Sequence, residues 1–305
     1  MSFDWLVAKA VSSGSAPMRV AIVHPVSASS LQGAVDAGQA GLISPILIGP
    51  AGKIEAAAEL AGISLSGIEQ IDTAHSHAAA AQAVSLVREG KADALMKGSL
   101  HTNELMAEIV KRDGGLRTDR RMSHIFLLST AGYSKPLLIS DGAINIAPDL
   151  SAKRWITQNA IDAARAIGIE TPKVAILSAT EEVDPVIPST IDAAALCKMA
   201  DRGQITGALL DGPLAFDLAV SREAVASKGL VSQVAGDADV LIVPTLEAGN
   251  MLAKQLDYLA GASAAGIVLG ASVPIILTSR ADTAEERLAS CAFAAAVNQW
   301  RKQQS

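Results

Sequence analysis

About ten short aliphatic runs punctuate this chain, at 19–24, 45–48, 94–96, 125–128, 137–140, 174–177, 208–211, 240–243, 266–269 and 275–278, and most are followed by a longer, alanine-rich segment of helical period. Runs of this length, apolar throughout instead of alternating, belong to strands buried on both faces, and helical crossovers between them make the sheet parallel. The expected fold class is therefore α/β. Ten strands are many for one open sheet, which predicts two domains. A crossing in the loop Asp141-Gly142-Ala143-Ile144-Asn145-Ile146-Ala147-Pro148, with the C-terminal helix returning to the start, gives a discontinuous first domain of residues 1–140 plus 270–305 and an inserted second domain of residues 141–269. In such folds ligands bind at the carboxyl ends of strands.

Composition narrows the function classes. Half of the 305 residues are hydrophobic, enough for one large core or two of ordinary size, which excludes a disordered chain. A net charge of −6 and 3% aromatics argue against a nucleic-acid binder, which needs a basic face and stacking platforms. Cys197 and Cys291 have no metal-ligand or redox spacing and read as free thiols of a reducing compartment. The first nine residues carry an acid and no basic leader or long apolar stretch, so they read as a short surface helix, and no segment has the length and apolarity of a membrane span. The expectation is a soluble, cytoplasmic protein.

The loops that follow strands hold the chemistry. Lys97-Gly98-Ser99-Leu100-His101-Thr102 joins a strand to a helix start with small residues, hydroxyls and a cation, a pattern suited to an anion such as phosphate, with Ser99 or Thr102 available as helix N-cap. It is not a Walker A loop, since the required first glycine is missing. Residues 111–121 carry five of the chain's 25 Lys and Arg; Lys111 and Arg112 fit a helix C-terminus, while Arg117, Arg120 and Arg121 offer guanidinium forks to phosphate oxygens. Asp211-Gly212-Pro213 reads as a turn after a strand. Asn250 and Lys254, four apart, share one helix face. Ser279-Arg280 stands at a strand end before Asp282, Glu285 and Glu286 in the first turn of a helix, where acids suit the dipole. His75-Ser76-His77 lacks a third metal ligand and reads as a helix start.

In order and spacing, Lys97-Gly98-Ser99-Leu100-His101-Thr102, Asp141-Gly142-Ala143-Ile144-Asn145, Asp211-Gly212-Pro213-Leu214-Ala215-Phe216-Asp217, Gly236-Asp237-Ala238-Asp239, Glu247 to Lys254 and Thr278-Ser279-Arg280-Ala281-Asp282 resemble the phosphate acetyl/butyryltransferases from about Val20 onward. The Ser-Arg-Ala-Asp and Asp-Gly-Pro-Leu-Ala segments are similar to the butyryltransferase-like branch and to the transferase part of enoyl-CoA hydratase fusions. The resemblance implies two α/β/α domains with an interdomain cleft, similar to isocitrate and isopropylmalate dehydrogenases, and a homodimer formed through the inserted domain. It implies reversible transfer of a short acyl group between coenzyme A and inorganic phosphate, with both as substrates, no bound cofactor, no metal, and no membrane or nucleic-acid partner. Ser279 would lie at the thiol and reacting carbonyl and Arg280 on substrate, with the base among Glu286, Asp282 and Glu285. Phosphate would fall to Lys97, Gly98, Ser99, His101, Thr102 and one of Arg117, Arg120 or Arg121, with Asn145, Asn250 and Lys254 as further cleft residues. Two other readings stand beside it: a metal-dependent dehydrogenase of the same fold, which needs an aspartate cluster, and a silent protein that binds coenzyme A or acyl phosphate.

Overall fold

The computed structural model describes residues 3–12, 14–279 and 282–304. In chain order the elements are α1 (Asp4–Ser12), β1 (Met18–Val23), α2 (Ala28–Gln39), β2 (Ile43–Gly49), α3 (Ala51–Ala61), β3 (Glu69–Asp72), α4 (Ser76–Arg88), β4 (Ala94–Lys97) and α5 (Thr102–Ile109). There follow β5 (Ser123–Ser129), β6 (Leu137–Ser140), α6 (Leu150–Ala166), β7 (Lys173–Leu177), α7 (Pro188–Asp201), β8 (Leu209–Leu214), α8 (Phe216–Val220), α9 (Arg222–Lys228), β9 (Val240–Ile242) and α10 (Leu246–Ala260). The chain closes with β10 (Ser263–Leu269), β11 (Ile275–Ile276) and α11 (Ala284–Gln304).

These elements form two compact units, a discontinuous one of Phe3–Arg120 with the residues from Ala265 on, and a continuous one of Arg121–Ala264. The division falls at Arg121 and Ala265, not at Asp141 and Gly270 as the sequence suggested. The cause is strand pairing: β5 pairs antiparallel with β6, and β6 pairs with β9, so residues 121–140 join the continuous unit. At the other end β10 turns back antiparallel onto β11, which pairs with β4, and is drawn into the discontinuous unit.

In the discontinuous unit the strand order is β3-β2-β1-β4-β11-β10, parallel except for the last pair. Its strands are aliphatic because both faces are covered: Val20, Ala21, Ile22, Ala94, Leu95, Ile275 and Ile276 are all fully buried, as is Phe293 on α11. The edge strand β3, Glu69-Gln70-Ile71-Asp72, has no apolar run and exists through its backbone pairing to β2, which is why periodicity does not reveal it. Between β1 and β4 the topology switches, because the chain leaves β1 toward β2 on one side and returns to β4 on the other. The loops after these two strands therefore diverge and leave a crevice at their carboxyl ends.

In the continuous unit the order is β5-β6-β9-β7-β8, parallel beyond the first pair. Gly212-Pro213, expected as a turn after a strand, lies inside β8, at a register shift against β7. A proline tolerated within a strand at a sheet edge with a bulge accounts for the difference. Asp211 supports the irregularity by accepting from Gly212 N (2.8 Å) and from the Ser232 hydroxyl.

Candidate active site

At the β1/β4 switch point a cavity of about 290 Å³ is lined by Ser27, Ser29, Ser30, Lys97, Gly98, Ser99, Thr278, Ser279 and Arg287, all in the discontinuous unit. Its floor is built by a close approach of two loops. His24, just past β1, adopts a left-handed conformation (φ 56°), and its carbonyl accepts from Ser99 N (2.9 Å), while the Val23 carbonyl accepts from Gly98 N (2.9 Å). A Cβ at position 98 would collide with the Val23 carbonyl and stand 2.8 Å from the His24 carbonyl carbon, so only glycine permits this contact. On the other side Thr278 Oγ1 donates to the Lys97 carbonyl (3.2 Å), tying the chain after β11 to the end of β4.

Four serines give the cavity its polarity. Ser27 caps α2 in a capping box with Ser30, and Ser99 Oγ donates to Ser27 Oγ (2.8 Å) and lies 3.1 Å from Ser30 Oγ. The N-terminus of a twelve-residue helix thus opens beside Lys97, whose Nζ donates to the Gly98 carbonyl (3.3 Å). Dipole, hydroxyls and ammonium all favour an anion here. Ser99 is not the cap of α5, since its hydroxyl and N–H are already committed; His101 holds the N-cap position, without a side-chain bond, and Thr102 is the first helical residue.

Ser279 is held by its own loop. Its N–H donates to Asp282 Oδ2 (2.6 Å) and its carbonyl accepts from Arg287 Nη2 (2.9 Å). Glu286 accepts from Thr283 N (2.8 Å) while Thr283 Oγ1 accepts from Glu286 N (3.2 Å), the reciprocal pattern of a capping box at the start of α11. Glu285 is exposed on the same turn. Arg280 lies outside the described residues.

The remaining candidates are not among the residues that line this cavity. Lys111 pairs with Glu108 (2.6 Å) and Arg112 is exposed, as fits a helix end. Arg117 is exposed on a backbone bridge to Ala271, and Arg120 is half-buried in the same unit. Arg121, in the continuous unit, donates from Nε to Asn145 Oδ1 (2.8 Å). Asn145 is buried and ties Met122 O and Asp141 together, while Asn250 donates to the Gly142 carbonyl (3.1 Å). Asn145 helps satisfy one buried carboxylate: Asp141 accepts from the N–H groups of His124, Ala143, Ile144 and Asn145 and from the Asn145 amide. Burial pushes the neighbouring His124 imidazole down to about 4, against the pull of Asp141. Lys254 is exposed, its ammonium 5.5 Å from the Tyr258 ring centre.

Burial raises the Cys197 and Cys291 thiols to about 12, which leaves them protonated and poor nucleophiles. His75 caps α4 through Nδ1 (3.2 Å from Ala78 N), as a helix-start histidine does. Among the described residues no group of three or more His, Cys, Asp or Glu is placed to hold a metal ion. Ser27, Ser29, Ser30, Thr278 and Arg287 are the cavity residues not singled out as site residues from the sequence. Ser-x-Ser-Ser after an aliphatic run is a legible strand-to-helix signal; Arg287 carries no local one.

The matches to known proteins agree with this geometry. The family described as Phosphate acetyl/butaryl transferase matches residues 76–295. The chain belongs to the phosphate acetyl/butyryltransferase family. It is 57% identical over 293 residues to a phosphate acetyltransferase of Rhizobium meliloti, covering 96% of this chain and 92% of the relative. To a phosphate butyryltransferase of Clostridium acetobutylicum it is 40% identical over 298 residues, covering 97% and 98%. A branched-chain phosphotransacylase from Enterococcus faecalis superposes with a TM-score of 0.81 at 32% identity, over 92% of this chain and 99% of that one. The chain is thus an acyltransferase of this family. No helix among the described residues is long and apolar enough to cross a membrane.

Proposed function

We propose that the protein transfers a short acyl group, acetyl, propionyl or butyryl, reversibly between coenzyme A and inorganic phosphate. The observation that carries this reading is the cavity at the β1/β4 switch point, where a helix N-terminus, four serine hydroxyls and Lys97 converge beside Ser279. In the direction of thioester synthesis the coenzyme A thiolate attacks the acyl carbon of acyl phosphate, the bond between that carbon and the oxygen bridging to phosphorus breaks, and phosphate leaves with the electron pair. The pocket supplies cation and N–H or O–H donors to phosphate, which stabilise the charge that develops on the departing oxygen. Ser279 holds the thiolate or the carbonyl oxygen, and Arg280 binds substrate. Burial holds both thiols of the chain protonated, which argues against a cysteinyl acyl-enzyme, and direct transfer is the simpler course. Coenzyme A and phosphate act as substrates and no resident cofactor takes part.

The same reading gives each unit the α/β/α build of isocitrate and isopropylmalate dehydrogenases, and makes the protein a cytoplasmic homodimer joined through the continuous unit. Phosphate-dependent release of free thiol from acetyl-, propionyl- and butyryl-CoA, measured side by side on purified protein without added metal, tests it. Turnover that requires phosphate is the expected result. Coenzyme A binding with no turnover on any of the three would overturn it in favour of a silent relative.

A further inference from the structure

Arg287 presents an energetic problem that the fold alone does not solve. It stands in the first turns of α11, the end of a helix whose dipole disfavours a cation, and it is 4% exposed. A buried guanidinium is tolerated when a carboxylate or several acceptors surround it. Among the described residues its side chain has one hydrogen-bonding partner, the Ser279 carbonyl, and no carboxylate within ion-pair distance. One of the five N–H donors of a guanidinium is thereby used. Space has nonetheless been made for the group: a Cβ at Gly33 on α2 would stand 2.9 Å from Arg287 Cδ, so the glycine opens a notch through which the side chain reaches the cavity.

We propose that Arg287 is the second cation of the anion cavity, paired in function with Lys97, and that its fork holds two oxygens of the transferable phosphate group while its Nη2 fixes the Ser279 carbonyl. The inference rests on the reading of this cavity as the phosphate site. A tetrahedral phosphate supplies what the protein leaves out, namely negative charge and paired acceptors in a plane that a guanidinium matches. The same link positions Ser279, since binding at the fork and the conformation of the Ser279 loop share one side chain.

The phosphate group in question could come from inorganic phosphate or from coenzyme A, and separate titrations of the two against wild type, Arg287→Lys, Arg287→Gln and Gly33→Ala distinguish them. Expected is a loss of about tenfold or more in inorganic phosphate affinity for Arg287→Gln, a smaller loss for Arg287→Lys, which keeps charge but not the fork, and coenzyme A affinity unchanged within about threefold. Gly33→Ala removes no charge and improves helix propensity, which offsets part of the crowding against Arg287, so its thermal stability should fall only modestly while its phosphate affinity falls through displacement of Arg287. In steady state the KM for phosphate should rise with little change in the KM for acyl-CoA. Undiminished phosphate affinity in Arg287→Gln, or a loss confined to coenzyme A, overturns the assignment. Phosphate binding is read without turnover, so an inactive wild type would sink the transferase reading and leave this test standing.

Discussion

Two loops in this protein look alike on paper: each follows a buried strand, and each gathers a charged residue, a glycine and small polar neighbours. The loop after β6 closes on itself. Asp141 accepts from four backbone N–H groups and an amide, Asn145 is committed to Asp141 and Met122, and both side chains are buried. The loop after β4 opens on a cavity, where its Ser99 bonds Ser27 and Ser30 at the start of α2 and its lysine lies along the loop, donating to a carbonyl 3.3 Å away. A polar loop whose groups are saturated by the protein is architecture, whereas one whose groups converge on a void is positioned for a ligand. Charge decides the rest: a carboxylate recruits N–H groups from its own chain, while an ammonium at a helix N-terminus recruits an anion from outside.

The largest effect belongs to the closed loop. Asp141→Ala leaves the N–H of His124 on β5 and three N–H groups of the loop without this acceptor and should cost about 3–5 kcal/mol of stability, read as a collapse of the denaturation midpoint. A variant that folds as well as wild type would show that the knot is not what holds this loop. The open loop should answer in activity instead of stability. Lys97→Met should lower kcat/KM for phosphate by about thirty- to hundredfold, some 2–3 kcal/mol, with the denaturation midpoint nearly unmoved. Loss of stability in place of activity would erase the contrast between the two loops.

How far the sequence carries this distinction depends on what kind of contact makes it. Strands β1, β4 and β11 are legible because burial on both faces forces aliphatic runs, and β3 is not, because an edge strand lives on backbone pairing with β2 and needs no apolar residue. The Lys97 loop is legible because a strand, a glycine and hydroxyls before a helix have few structural uses. Asn145 and Asn250 read as cleft residues in the sequence, which does not reveal that the Asn145 amide bonds Asp141 or that Asn250 donates to the Gly142 carbonyl. Arg287 is invisible for the converse reason: its role depends on a notch at Gly33, far back in the chain, and on a cavity assembled from the ends of three strands.

The acids beside Ser279 test the same distinction at its smallest scale. Glu286 is a candidate base by position, yet its carboxylate accepts from Thr283 N and its own N–H is capped in return, which is the saturated arrangement of the closed loop, transferred to a helix start. Glutamine keeps the acceptor oxygen and loses the ability to take up a proton. Glu286→Gln should therefore change stability by less than about 1 kcal/mol and kcat by less than about fivefold, whereas loss of a general base lowers kcat by about 10²–10⁴. Measuring kcat of this variant across pH separates the two, because removal of a base also abolishes the acidic limb of the profile and removal of a cap partner does not. A large drop in kcat with that limb gone would place Glu286 among the groups that act on substrate, and would show that a side chain committed to the backbone in the free protein can be released when the cavity fills.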